Sequence, residues 1–307
     1  MSVRALDAAG IEDPRLRVAF EVCRKLHVQH GRTYYLATQL LPPAKRPYVW
    51  ALYGFARYAD EFVDSLTDPR PEALVSWSKE FLDAIVAGDT DDPVCLAMMH
   101  TMRRWQIPRA YVEAFLESMQ MDISVTRYAT YPDLERYMYG SAAVIGLQVL
   151  PILEPLAPEA AARARALGEA FQLSNFIRDV GEDLRRGRIY LPLEDLEAFG
   201  VTEDVLVRGV TTAPVRELIR FEVERARRLY AFAEPGIDML HPTSRDCVRT
   251  AFTLYGEILD AVEESHYQVL SRRAVVPLTR RLQVVVPALR HARSVRRDEN
   301  RWVSVER

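Results

Sequence analysis

The chain has 307 residues, 49% of them hydrophobic and 27% charged, with a formal net charge of -3. This is the composition of a soluble globular protein with a large core in one or two domains, and without a basic excess it argues against a nucleic-acid partner. Thirteen glycines favour helices over strands, and three scattered cysteines, Cys23, Cys95 and Cys247, form neither a disulfide framework nor a zinc site, which suits a reducing cytoplasm.

The leader MSVRALDAAGIEDPRLR has no apolar core of signal-peptide length. The most apolar stretch, Ala142 to Leu153, is too short to span a bilayer and is interrupted by Gln148 and Pro151. A cytoplasmic protein, soluble or peripheral to a membrane, is expected. A helix is predicted from about Leu16 to His30, followed by GRTYYLATQLLPP, where Pro42 and Pro43 end one helix and Ala44 or Lys45 begins the next.

Within YVWALYGFARYADEFVD, Tyr53, Arg57, Asp60 and Asp64 share one helical stripe, while Leu52, Phe55, Ala56, Ala59, Phe62 and Val63 form a broad apolar face. Thr67 to Pro71 is expected to turn, Glu72 to Val86 to form an amphipathic helix, and Gly88 to Pro93 an exposed acidic loop. A further helix from about Arg109 to Val125 carries Asp122 in line with Tyr111, Phe115 and Ser118, a position that fits either a helix end or a polar cavity. In LERYMYGSAAVIGLQVLPIL, Gly140, Ala143 and Gly146 recur every three residues and make a smooth ridge suited to close helix packing.

The segment QLSNFIRDVGEDLRRGRIYLP, in a helix predicted over Ala161 to Leu184, places Gln172, Asn175, Asp179 and Asp183 along a second polar stripe. One such stripe is ordinarily the solvated side of an amphipathic helix. Two of them, facing each other, read differently. Four residues rise about 6 Å along a helix, so each pair of aspartates presents two carboxylates to hard cations, and magnesium is usually held by a few carboxylates together with substrate phosphates. Arg185, Arg186 and Arg188 follow immediately; their adjacency to the acids favours a lid over an anionic ligand above an ordinary solvated charge run. Helices are predicted over Arg216 to Phe232 and Ser244 to Leu270. Arg290 to Arg307 is charged and lacks helical periodicity, so a domain of residues 1–289 with a flexible tail at 290–307 is expected. Without alternating strand patterns the fold class is all-α, a single domain.

The segments NFIRDVGEDLRRGRIYLP, ALYGFARYADEFVD and TYYLATQLLPP together resemble the squalene and phytoene synthase family of head-to-head prenyl transferases, most closely its bacterial phytoene synthases, over about Thr33 to Pro287. The resemblance implies an isoprenoid synthase-type helical bundle around a central cavity. It implies a magnesium-dependent enzyme, with manganese as a substitute and no NADPH, that condenses two geranylgeranyl diphosphates to phytoene. Asp60, Asp64, Asp179 and Asp183 would hold the metal. Thr33, Tyr34, Tyr53, Arg57, Gln172, Asn175, Arg178 and Arg272 would bind diphosphate, with Tyr255 near the leaving group. The small-sided helix at Gly140 to Gly146 would border the prenyl tunnel, although many phytoene synthases carry arginine where this chain has Gly140. A C30 synthase acting on farnesyl diphosphate (dehydrosqualene, squalene or hydroxysqualene), a terpene cyclase and a non-catalytic assembly factor are the alternatives; the last would be expected to have lost acids that are present here. An oily product also fits transient contact with a membrane surface.

Overall fold

A computed structural model describes residues 2–64 and 70–305, excluding the side chains of Asp64 and of 298–305. The helices are α1 (Ser2–Ala8), α2 (Pro14–His30), α3 (Arg32–Thr38), α4 (Arg46–Asp64), α5 (Pro71–Ala87), α6 (Pro93–Trp105), α7 (Arg109–Met121), α8 (Tyr131–Met138), α9 (Val144–Leu153), α10 (Ala160–Arg185), α11 (Leu193–Ala198), α12 (Glu203–Val207), α13 (Ala213–Ala233), α14 (Pro242–Glu264) and α15 (Leu278–Val305). Among the described residues β structure is confined to two isolated bridges, Arg127 with Ile189 and Pro155 with Leu240. The all-α expectation therefore holds.

Local chemistry sets the helix starts. Asp13 and Asp92 accept backbone N–H groups at the heads of α2 and α6, and Thr130 forms a capping box with Asp133 at α8. Prolines occupy the first turns of α2, α5, α6, α8, α13 and α14, where the missing N–H leaves no bond unmade.

Two large apolar clusters organise the packing. The first joins α1, α2 and α4 to α7 around Phe20, Trp50, Phe55 and Phe81. The second joins α8, α10, α13 and α14 around Met138, Ile177, Ile219 and Leu259. α3 connects them within one turn: Tyr35 packs against the first cluster and its neighbour Tyr34 against the second. The stripes of α4 and α10 thus rise from different cores.

The small residues are sites of backbone contact. A Cβ on Gly140 would lie 2.0 Å from Ser118 Oγ, on Gly146 2.4 Å from the Ala164 carbonyl, and on Gly168 2.5 Å from the Ala142 carbonyl. The Gly140 to Gly146 ridge accordingly packs against α7 and α10, through a π-helical turn at Tyr139–Ala143, and no larger side chain fits at Gly140.

Some boundaries differ from expectation. α6 was not predicted. α14 stops at Glu264, short of Leu270, because His266 and Tyr267 both take positive φ and turn the chain back. The segment at 290–305 is helical: α15 runs through 289/290 without a break, His291 pairs with Asp246, and Arg296 donates to the Leu40 and Leu41 carbonyls, so the expected domain boundary falls inside a packed helix. The turn expected at 67–71 falls mostly outside the described residues.

Away from the cavity, Glu222 is buried and shares Arg225 with Asp195, at 2.8 and 2.7 Å, while the guanidinium lies over Tyr131 at 4.0 Å. Burial pushes the Glu222 carboxyl up to about 8, with Arg225 opposing the rise and Asp195 adding to it. The folded chain therefore keeps a proton that the unfolded chain releases, and stability falls as pH rises from the ordinary glutamate range toward that value. Melting temperature measured from pH ~5 to ~8 is expected to decline in the wild type and to decline less in Glu222→Gln; parallel profiles would contradict the assignment.

Candidate active site

A cavity of about 470 Å³ opens between the two cores. Its wall comes from the end of α2 and the start of α3 (29–34), from Tyr53 on α4, Arg178 on α10, and Leu254, Tyr255 and Ile258 on α14, and from the 273–276 segment with Arg281 on α15. Thr33, Tyr34, Tyr53, Arg178 and Tyr255, far apart in the chain and expected at a diphosphate site, are brought into one surface.

Aromatic rings form one side. Tyr34 stacks on Tyr255 with centroids 4.8 Å apart, and Phe171 lies 4.5 Å from Tyr255. Burial pushes the Tyr34 phenol well above its usual range and raises that of Tyr255; that of Tyr53 is pushed up to about 12. All three are therefore neutral hydroxyls at physiological pH.

Beside them is a tight ionic cluster. Arg178 donates to both oxygens of Asp179, at 2.8 and 2.6 Å, and Arg273 does the same, at 2.7 and 3.1 Å. Burial works against ionisation of Asp179, but the hydrogen bonds and charge of Arg178, then of Arg273, outweigh it and hold the carboxyl below its usual range. On α4, Arg57 pairs with Asp60 and with Glu61. The two stripes communicate through the tyrosines, since Tyr53 feels Tyr255, Arg57 and Asp60 while Arg178 feels Asp179, Tyr255 and Tyr34.

Other expected positions are not among the residues of this wall. Arg272 and Arg273 are both exposed, and of the two Arg273 lies in the wall. Gln172 and Asn175 are half-buried on α10 and do not line this cavity. Asp183 borders a separate narrow cleft with Phe176, Arg188 and Tyr190. Asp64 ends α4, and its side chain lies outside the described residues. None of Arg185, Arg186 and Arg188 enters the wall: Arg188 donates to the Asp122 carbonyl at 3.1 Å, and Arg127 holds the Gly187 carbonyl at 2.6 Å, so this loop is tied to the segment after α7. Asp122 is both a helix end and buried, accepting the Tyr137 hydroxyl at 2.7 Å. His30, Arg32, Arg273 and Arg281 were not anticipated; the last two lie on segments whose course the sequence pattern does not reveal.

Among the described residues no three His, Cys, Asp or Glu side chains approach closely enough to hold a metal ion by themselves. The donor chemistry nevertheless fits magnesium, because such ions are held by one or two carboxylates with substrate phosphates completing the shell. Asp60 and Asp179 supply hard oxygen donors near a cavity whose arginines suit a phosphate.

The chain is similar to known proteins over most of its length. Residues 27–280 match the family model described as squalene/phytoene synthase. The chain is 39% identical over 290 residues to a phytoene synthase of Arthrospira platensis, covering 90% of this chain and 94% of the other. It is 40% identical over 295 residues to a 15-cis-phytoene synthase of Synechocystis sp., covering 92% and 86%. Among solved structures, a ligand-bound dehydrosqualene synthase superposes with a TM-score of 0.83 at 28% identity, covering 91% of this chain and 98% of that one. A squalene synthase from Alicyclobacillus acidocaldarius superposes with a TM-score of 0.77 at 30% identity, covering 85% and 98%.

If Arg273 rather than Arg272 meets the anion, Arg273→Ala is expected to weaken inorganic diphosphate binding about 10- to 100-fold, the loss of one charge-assisted hydrogen-bond pair. Titration calorimetry should find Arg272→Ala close to wild type. Equal losses in both variants would reject the placement.

Proposed function

The chain belongs to the squalene/phytoene synthase family, and we propose that it joins two geranylgeranyl diphosphates head to head, through a cyclopropyl diphosphate, to give phytoene. The observation that carries this reading is the charge of the cavity. Arg32, Arg178, Arg273 and Arg281 line it, no carboxylate is among its described wall residues, and Tyr34 and Tyr255 stand beside them. That is a receptor for a polyanion attached to an apolar chain.

In the first stage the C1–O bond of one allylic diphosphate breaks and its electron pair leaves with the diphosphate. Arg178, Arg273 and Arg281 are placed to strengthen their hydrogen bonds as charge accumulates on that group, which lowers the barrier rather than only tightening binding. An arriving diphosphate also competes with Asp179 for Arg178 and Arg273, freeing carboxylate oxygens. C1 then bonds to the double bond of the second substrate, a proton is lost, and the cyclopropane closes. Loss of the second diphosphate, rearrangement and a final deprotonation complete a redox-neutral sequence that takes no nicotinamide.

Tyr34 and Tyr255, the latter backed by Phe171, offer aromatic rings that favour a nearby cation. Leu254, Ile258, Ala274 and Val276 keep that side of the cavity apolar, limiting capture of the cation by water. Magnesium, or manganese in its place, held by Asp60, Asp64, Asp179 and Asp183 would neutralise charge on the leaving group. The solved relatives named as C30 synthases, at 28% and 30% identity, support a second reading with farnesyl diphosphate. The purified protein with magnesium and both C15 and C20 diphosphates is expected to release a C40 hydrocarbon; C30 product alone would reject the first reading.

No helix among the described residues is long and apolar enough to cross a membrane. Transient contact with a membrane surface, at which oily substrate and product are exchanged, is supported by the outer face of α15. Leu278, Leu282 and Val286 are exposed there at helical spacing, next to the cavity wall at Val275, Val276 and Arg281, and exposed Arg290, Arg293 and Arg297 follow. Flotation with vesicles containing anionic lipid should carry the wild type, and replacing Leu278, Leu282 and Val286 together by serine should abolish it. Flotation unaffected by these changes would place any contact on another surface.

A further inference from the structure

His27 is buried with no exposed surface, and among the described residues neither of its ring nitrogens has a hydrogen-bond partner. An unpartnered polar ring in a core is costly relative to one that is satisfied, so its contacts call for explanation. Its imidazole stacks on the ring of Tyr53, centroids 4.1 Å apart and planes 11° from parallel, and Tyr35 meets it edge-on at 5.4 Å. Burial pushes the imidazole pKa down to about 3, so the ring remains neutral.

One turn further along, Gly31 ends α2 by donating its N–H to the His27 carbonyl. A Cβ at Gly31 would lie 2.5 Å from Tyr53 Cζ and 2.8 Å from its hydroxyl oxygen. The same end of α2 therefore offers Tyr53 a flat imidazole under its ring and bare backbone under its hydroxyl. Tyr53 reaches the cavity wall from this seat, close enough to sense Tyr255, Arg57 and Asp60.

We propose that His27 and Gly31 are positioning residues, which fix the height and tilt of Tyr53 so that its hydroxyl meets the diphosphate end of the substrate. This rests on the reaction proposed above. An imidazole does this as a thin, neutral plate that places no charge beside a developing cation. A side chain at position 31 would lift the hydroxyl by steric contact alone.

The test is a double-mutant cycle on kcat and KM with the C20 diphosphate, paired with NMR of ring-labelled tyrosine in the ligand-free protein. His27→Ala is expected to lower kcat about 10- to 100-fold, the cost of misplacing one group by about an ångström, with KM nearly unchanged. His27→Phe, which restores a flat ring, should recover most of the loss. In a Tyr53→Phe background, already slowed, His27→Ala should cost little more, because the hydroxyl it positions is gone. Gly31→Ala should shift the Tyr53 ring resonances and lower kcat without lowering the melting temperature in proportion. Equal losses from His27→Ala in both backgrounds, or no recovery in His27→Phe, would overturn the proposal. If the wild type forms no product from any prenyl diphosphate, the reaction is wrong; the seat then stands or falls on the NMR alone, where Tyr53 resonances unmoved by His27→Ala and Gly31→Ala would reject it.

Discussion

Asp179 has most of its side chain out of water, and two guanidiniums hold it there in parallel forks. An isolated carboxylate in that position would take up a proton or draw in solvent. Arg178 comes from the adjacent position on α10, but Arg273 has to be delivered from a separate part of the chain. The delivery depends on backbone. After α14 the chain passes through His266 and Tyr267 in left-handed conformations and then crosses α10 at Gly181, where a Cβ would lie 2.3 Å from the Leu270 carbonyl. The absence of a side chain at Gly181 sets how closely the 269–273 strap approaches, and thereby where Arg273 meets Asp179.

The same dependence explains what was and was not legible in the sequence. The stripes on α4 and α10 could be seen because helical periodicity converts spacing directly into a shared face. α5 and α13 had amphipathic patterns, and α2 was anticipated to its end at His30, whereas α7 stops at Met121, short of the expected Val125. α6 had no such pattern, since Val94 to Met99 are all buried and consecutive apolar residues leave no period to detect. α15 failed in the opposite way: its arginines resemble a solvated tail, whereas Val285 and Ala292 face the core and Arg296 spans to the end of α3. Which of Arg272 and Arg273 borders the cavity was not legible, because the strap is not helical and spacing alone does not distinguish two adjacent arginines; the structure puts Arg273 in the wall. That choice is made by the approach over Gly181.

The ridge from Gly140 to Gly146 bears on substrate length only indirectly. Its glycines are consumed by contacts with α7 and α10, within the range where backbone meets backbone. No residue of this ridge or of the π-turn at Tyr139–Ala143 is in the cavity wall, so these glycines set the spacing of helices rather than the lining of the cavity. A substitution meant to shorten or lengthen a tunnel there would first disturb packing, with a cost of about 1–3 kcal/mol for overfilling a close contact. Side chains projecting from α14, such as Leu254 and Ile258, can change size without breaking a helix crossing.

Net charge also misleads here, and for a physical reason. A value of -3 averages acidic pairs distributed over the whole surface against a local excess of arginine in one cavity. Elsewhere, Arg225 is matched by Asp195, and Lys45 by Glu154 with Ser244 beside it. In the cavity wall Arg32, Arg178, Arg273 and Arg281 outnumber the two carboxylates paired with them among the described residues, Asp179 and, 3.7 Å from Arg273, Glu182. Screening over roughly 8 Å at physiological ionic strength makes this local imbalance, rather than the sum over the chain, the quantity a diphosphate meets on entry. Because Asp179 already occupies donors on Arg178 and Arg273, that entry is an exchange of one anion for another, and the affinity of the site is set by the difference between them.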